Sequence, residues 1–194
     1  MLYNKHNLAV AKIASKSGMR EELASVFFTK EKTVAMDGIR LLEVSVSTTG
    51  KAEEFPIVEG MSAMRGCSPF MVNAKQVAEL KPKGVKRLPI TEFVALKHLD
   101  DKSVEFLTTD VESSQVKQVR RVDAKFPDYE QIFPQGTAKA EVVLNGEMFS
   151  ELLKVMSGLH KQVRVKFYGK EKSLVLECGT AEQKARGLMM PIRE

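Results

Sequence analysis

An α+β fold of three βαβββ units, with helices on one face of antiparallel sheet, is predicted by three features: an internal repeat, period-two alternation after the helices, and an amphipathic last helix. The repeat aligns Met71-Val72-Asn73-Ala74-Lys75-Gln76-Val77-Ala78-Glu79-Leu80 with Val143-Leu144-Asn145-Gly146-Glu147-Met148-Phe149-Ser150-Glu151-Leu152. Each copy reads as strand, cap, helix. Asn73 and Asn145 are N-caps, because an asparagine side-chain oxygen accepts from the orphan N–H groups of a first helical turn, and Gln76 stands where a capping-box partner would. Downstream, Lys102-Ser103-Val104-Glu105-Phe106-Leu107 matches Lys172-Ser173-Leu174-Val175-Leu176-Glu177, which sets a repeat of about 70 residues.

The first unit is a weaker copy. A helix is predicted from about Asn4 to Ser17, then strands over Leu23 to Thr29, Thr33 to Met36 and Ile39 to Ser47, with the opening strand missing or reduced to Met1-Leu2-Tyr3. Ser47 to Ser68, rich in Gly, Ser, Thr and Met, reads as a long connection with one short strand at Phe55 to Val58. After the second helix come strands at Thr91 to Asp100, Ser103 to Thr109 and Gln115 to Val122. After the third come Gln162 to Tyr168, Ser173 to Cys178 and Lys184 to Met190. Val163, Val165 and Phe167 alternate with Gln162, Arg164 and Lys166, the pattern of a sheet wet on one face. The third helix puts Met148, Phe149, Leu152, Leu153, Met156 and Leu159 on one side and Glu147, Ser150, Glu151, Lys154 and Ser157 on the other.

Composition narrows the function. With 194 residues, of which 43% are hydrophobic, the chain can bury a core, and a net charge of +5 permits a polyanionic partner without requiring one. No apolar stretch is long enough to cross a bilayer and the polar start is no signal peptide, so a cytoplasmic protein is expected, with no membrane partner. Cys67 and Cys178 are far apart and lack neighbours at ligand spacing, so they are read as buried thiols, with neither metal nor cofactor. Catalytic constellations are absent: His98 reads as a solvated strand-end residue, and Asp37-Gly38 as a hairpin turn before it reads as a phosphoryl-transfer aspartate. A non-enzyme is expected. A small hydrolase using Asp37 or His98 is the weaker reading.

Three segments carry a resemblance. Val34-Ala35-Met36-Asp37-Gly38-Ile39-Arg40-Leu41 resembles the TDGHRL turn of the bacterial sliding clamp, the beta subunit of DNA polymerase III. The stretch from Val122 through Phe126-Pro127-Asp128-Tyr129 to Pro134 is similar to the segment closing the middle domain of those clamps, and Met189-Met190-Pro191-Ile192-Arg193-Glu194 to their C-terminal MPMRL. The resemblance implies a DNA clamp fold with sheets outside and helices lining a hole around double-stranded DNA. It also implies a shortened chain, with residues 1–134 corresponding to a two-unit middle domain and 135–194 to half of the last one. The unpaired unit would expose a sheet edge, so a homo-oligomer is expected, a tetramer if the ring keeps twelve units.

The resemblance further implies an apolar pocket for linear peptides of a DNA polymerase, repair protein or clamp loader. Carried over by position, it comprises Met36, Gly38, Ile39, Arg40, Leu41, Pro127, Gln131, Ile132, Leu188, Met190, Pro191, Ile192 and Arg193. Met36, Ile39, Gln131 and Glu194 depart from the family pattern and imply an altered peptide preference. Lys5, Lys12, Lys16, Lys75, Lys81, Lys83 and Lys154 are the expected DNA-binding residues, through non-specific phosphate contacts rather than base readout. A solvated face would account for each lysine singly. The rival reading drops the ring and keeps the peptide pocket, as a decoy or regulator of replication.

Overall fold

A computed structural model describes residues 1–48, 68–82, 84, 85 and 87–192, without the His98 side chain. The expected strand at Phe55 to Val58, and Cys67, Lys83 and Arg193, lie outside the described residues. The chain divides into two compact units, Met1–Tyr129 and Glu130–Glu194.

The first unit runs β1 (Leu2–Asn4), α1 (Lys5–Ala9), β2 (Ser25–Phe28), β3 (Lys32–Met36), β4 (Leu41–Ser45), β5 (Phe70–Asn73), α2 (Ala74–Ala78), β6 (Phe93–His98), β7 (Ser103–Thr109) and β8 (Ser114–Arg120). Its two four-stranded antiparallel sheets have the orders β4-β3-β2-β5 and β1-β6-β7-β8. Each opening strand therefore joins the other half's sheet. β5 pairs with β2, setting Val72 opposite Val26 and Phe70 opposite Phe28, and β1 pairs with β6, setting Tyr3 opposite Val94. The opening strand of the first half is thus present, and it is found only by pairing with a strand some ninety residues later. The two halves share one core, in which Tyr3, Phe28, Phe70 and Phe106 surround each other with ring centroids 5.0 to 5.6 Å from Phe28. Burial of that apolar surface is the main force holding the halves together.

The first helix is shorter than the sequence pattern predicts. α1 ends at Ala9 and continues as a 3₁₀ turn over Val10–Lys12, not as a helix to Ser17. Past Ala14 the Ser15 amide donates to Leu23 O at 2.8 Å, which ties the chain back to the approach of β2 and stops the helix. The start is fixed by a capping box: Asn4 Oδ1 accepts from Asn7 N and Asn7 Oδ1 accepts from Asn4 N, both at 3.1 Å. The Asn7 side chain, fully buried, also donates to Val44 O and Ser45 O at 3.1 Å, pinning α1 onto β4. At α2 Asn73 accepts from Lys75 N at 3.0 Å, as its cap role requires.

The second unit runs α3 (Gly146–Leu159), β9 (Arg164–Lys166), β10 (Leu174–Gly179) and β11 (Lys184–Met189), a three-stranded sheet of order β11-β10-β9. Asn145 caps α3 by accepting from Glu147 N and Met148 N. Its apolar side packs Leu152 and Met156 against the sheet, and a Cβ at Gly187 would come within 3.2 Å of both side chains. No side chain larger than hydrogen fits there without displacing them. The strand predicted before α3 does not form, because among the described residues of their unit Val142, Val143 and Leu144 have no neighbouring strand to complete a ladder.

Candidate nucleic-acid face and peptide-binding hairpin

In the first unit α1 and α2 lie side by side, and a shallow groove of about 200 Å³ between them is lined by Lys5, Leu8, Lys12, Val77 and Leu80. Lys5, Lys12, Lys75 and Lys81 are all exposed there or beside it. Neither helix carries an acid in its first turn, and Glu79, at the end of α2, is ion-paired with Lys117. The surface is therefore cationic, which suits a sugar-phosphate backbone. Lys16, expected within a helix running to Ser17, is exposed but lies past the 3₁₀ turn that ends at Lys12. Lys154 is exposed on α3 of the second unit.

The segment Met36–Leu41 is a hairpin joining β3 to β4, with Met36 paired to Leu41. Gly38 sits at φ +92°, a left-handed conformation that side chains with a Cβ seldom adopt, and Asp37 closes the turn: its Oδ1 accepts from Ile39 N at 2.9 Å and Arg40 N at 2.7 Å. Arg40 folds back onto the same carboxylate, Nη2 and Nε donating to Oδ2 at 2.7 and 3.0 Å. The Arg40 amide, the Arg40 side chain and the Ile39 amide together lower the Asp37 carboxyl to about 2. Arg40 is thus engaged with Asp37, whereas Ile39 stands 94% exposed at the hairpin tip.

Beneath the tip lies an apolar cluster in which the two resemblance segments of this unit meet. Met36 and Leu41 pack with Leu23, Val34, Met71, Phe126 and Tyr129. Phe27 stacks on Phe126 at 4.9 Å, Phe126 meets Tyr129 edge-on at 5.9 Å, and Lys32 Nζ stands 5.2 Å above the Tyr129 ring. Pro127 is half-buried between these aromatics in sequence. Leu23, Phe27 and Met71 belong to none of the resemblance segments; Phe27 comes to the hairpin by pairing with Val34, Met71 by pairing with Phe27, and Leu23 from the turn before β2. In the second unit Gln131 and Ile132 form an exposed 3₁₀ turn, and Leu188, Met190 and Ile192 expose apolar surface along and beyond β11, with Pro191 half-buried. Met189, between them, is buried.

No family model and no curated protein matches this chain in sequence. Solved structures do match. The chain is similar to the DNA polymerase sliding clamp of Pseudomonas aeruginosa at 18% identity and TM-score 0.67, covering 98% of this chain and 50% of that one. A beta clamp of Helicobacter pylori matches at 14% identity and TM-score 0.68, over 95% and 46%, and a DNA polymerase III beta subunit of Borrelia burgdorferi at 17% and 0.66, over 98% and 48%. The protein has the fold of a sliding clamp. It spans about half the length of the clamps it matches.

Proposed function

We propose that the protein is a sliding clamp-like processivity factor, a non-catalytic tether that encircles double-stranded DNA as a homo-oligomeric ring, of four chains if the ring keeps twelve units. The observation that carries this reading is the cationic α1–α2 face, Lys5, Lys12, Lys75 and Lys81 with Glu79 neutralised by Lys117, on a chain whose fold is that of a clamp. Such a face binds phosphates without reading bases, as sliding demands. Lys16, Lys83 and Lys154 belong to the same proposal as further phosphate contacts.

Linear peptides of a DNA polymerase, repair protein or clamp loader would be held by Met36, Gly38, Ile39, Arg40, Leu41, Pro127, Gln131, Ile132, Leu188, Met190, Pro191, Ile192 and Arg193. The exposed tip of Ile39 above an apolar cluster, and the apolar run Leu188, Met190 and Ile192, support this assignment. Because Arg40 is tied to Asp37, it serves the peptide first by holding the hairpin shape and only second as a donor. The experiment is retention on nicked circular DNA followed by linearisation. Clamp behaviour is retention on circles and loss from linear ends. Absence of retention even with a loader, with peptide binding intact, would leave the non-encircling decoy, which the half-length chain also suits.

A further inference from the structure

The two halves of the first unit obey one pairing rule that the second unit leaves unfulfilled. An opening strand, the two or three residues before its helix-capping asparagine and that asparagine itself, pairs antiparallel with the first strand after the helix of a different βαβββ copy. The registers agree in both cases: Asn73, Val72, Met71 and Phe70 lie opposite Ser25, Val26, Phe27 and Phe28, while Asn4, Tyr3 and Leu2 lie opposite Phe93, Val94 and Ala95. In the second unit the opening segment Val142-Val143-Leu144-Asn145 and the strand β9 are each present, and among the described residues neither has this partner.

The segment is nonetheless held ready. Val143 O accepts from Ile192 N at 2.9 Å, in the way that Met71 O accepts from Val122 N at 2.9 Å, so its inner edge is bonded to its own unit just as that of β5 is. Only the outer edge differs. Phe70, Met71 and Val72 are buried by their pairing, whereas Val142, Val143 and Leu144 are half-exposed. A groove of about 780 Å³ crosses one end of the second unit's sheet and is lined from all three strands, by Arg164 of β9, Glu177 and Cys178 of β10 and Lys184 and Ala185 of β11 among others.

We propose that two copies of this chain join by reciprocal strand exchange through their second units, each lending residues 142–145 to β9 of the other. A second copy is the occupant that satisfies both needs at once: the unit offers a donor strand and an acceptor edge, so a two-fold axis fills both, and a partner of another kind would fill one. The rule fixes the register. Val34, opposite Phe27, holds the place in its hairpin that Glu177, opposite Arg164, holds in β10–β11. Arg164 therefore takes the place of Phe27, and Asn145, Leu144, Val143 and Val142 face Gln162, Val163, Arg164 and Val165 of the second copy.

This register passes two checks it was not built from. Val142, Leu144, Val163 and Val165 all pack toward the same apolar cluster beneath α3, so the exchange continues one apolar face, and a slip by one residue would destroy the match. It also brings Glu141 opposite Lys166, whose ammonium is paired with Glu177 at 2.7 Å within its own sheet, so the exchange adds a second carboxylate to that cation. The exchange rests on sheet topology and is independent of whether the assembly encircles DNA.

The test is a disulfide in trans. With Cys67→Ala and Cys178→Ala as background, Val143→Cys/Arg164→Cys places two cysteines at a non-hydrogen-bonded cross-strand pair, where Cα atoms are close enough to bridge. Mild oxidation should yield a two-chain species on a non-reducing gel that reductant dissolves, at least tenfold more than either single variant or the register-shifted Val143→Cys/Val165→Cys. A one-chain band alone, or equal cross-linking in all variants, overturns the proposal. Should the double variant fail to fold by circular dichroism, Lys166→Glu is expected to weaken self-association about tenfold in sedimentation and Glu141→Lys/Lys166→Glu to restore it; no weakening, or no restoration, overturns it equally. A linked pair that is not retained on circular DNA removes the ring and keeps the exchange. Retention without linkage removes the exchange and keeps the ring.

Discussion

The residues up to Tyr129 and those after it follow one plan with different outcomes. In the first unit two βαβββ copies trade opening strands, each sheet gains a fourth strand, and Tyr3, Val26, Phe28, Val72, Val94 and Phe106 are sealed in a common core. In the second a single copy keeps a longer helix and a three-stranded sheet, and its fully enclosed side chains are few, Leu174 and Leu176 among them. The comparison teaches that a βαβββ copy does not complete its own sheet. Its opening strand is built for a neighbour, and a copy without one leaves that segment outside any ladder.

The largest expected effect separates the two regions directly. Phe28→Ala should cost about 3–5 kcal/mol, because it empties the centre of three aromatic contacts, while Val165→Ala at the corresponding place in β9 should cost about 1 kcal/mol. Urea denaturation of the two variants checks both, and equal losses would erase the distinction between the units. Next comes the buried asparagine. Asn7→Ala strips Val44 O and Ser45 O of their donor and should cost about 2 kcal/mol, whereas Met148→Ala, at the same distance from its cap but 62% exposed, should stay within about 0.5 kcal/mol.

Capping sharpens the contrast further. Asn145→Ala should cost about 1 kcal/mol and speed hydrogen exchange at the Glu147 and Met148 amides, since α3 depends on its own first turn. The smallest effect belongs to the hairpin. Asp37 has a folded-state carboxyl below its unfolded one, so its contribution is full above about pH 4 and is lost as pH falls toward 2. A proton titration of the Ile39 and Arg40 amides should follow that window in the native protein. It should be flat in Asp37→Asn.

Much of this architecture was legible beforehand for local reasons. Asn73 and Asn145 announced two helix starts because capping is chemistry between adjacent residues, and the α3 stripe and the Asp37-Gly38 turn are likewise local. The helix read from Asn4 to Ser17 failed where a distant group intervened, the Leu23 carbonyl taking the Ser15 amide. The strand read before α3 does not form because, among the described residues, no strand pairs with its outer edge, although Ile192 N reaches Val143 O on the inner one. At the candidate site, the turn and the Phe126–Tyr129 segment could be picked out by motif, but their meeting with Leu23, Phe27 and Met71 could not.

By itself the sequence determined the repeat, the caps, the faces of the helices and the lysines they carry, since each is written within a few residues of backbone. Only the tertiary structure decided which strand joins which sheet. That choice is made by burial and hydrogen bonding between residues tens of positions apart, so Leu2–Asn4 became a strand through Phe93–Ala95, and Val142–Leu144 did not become one.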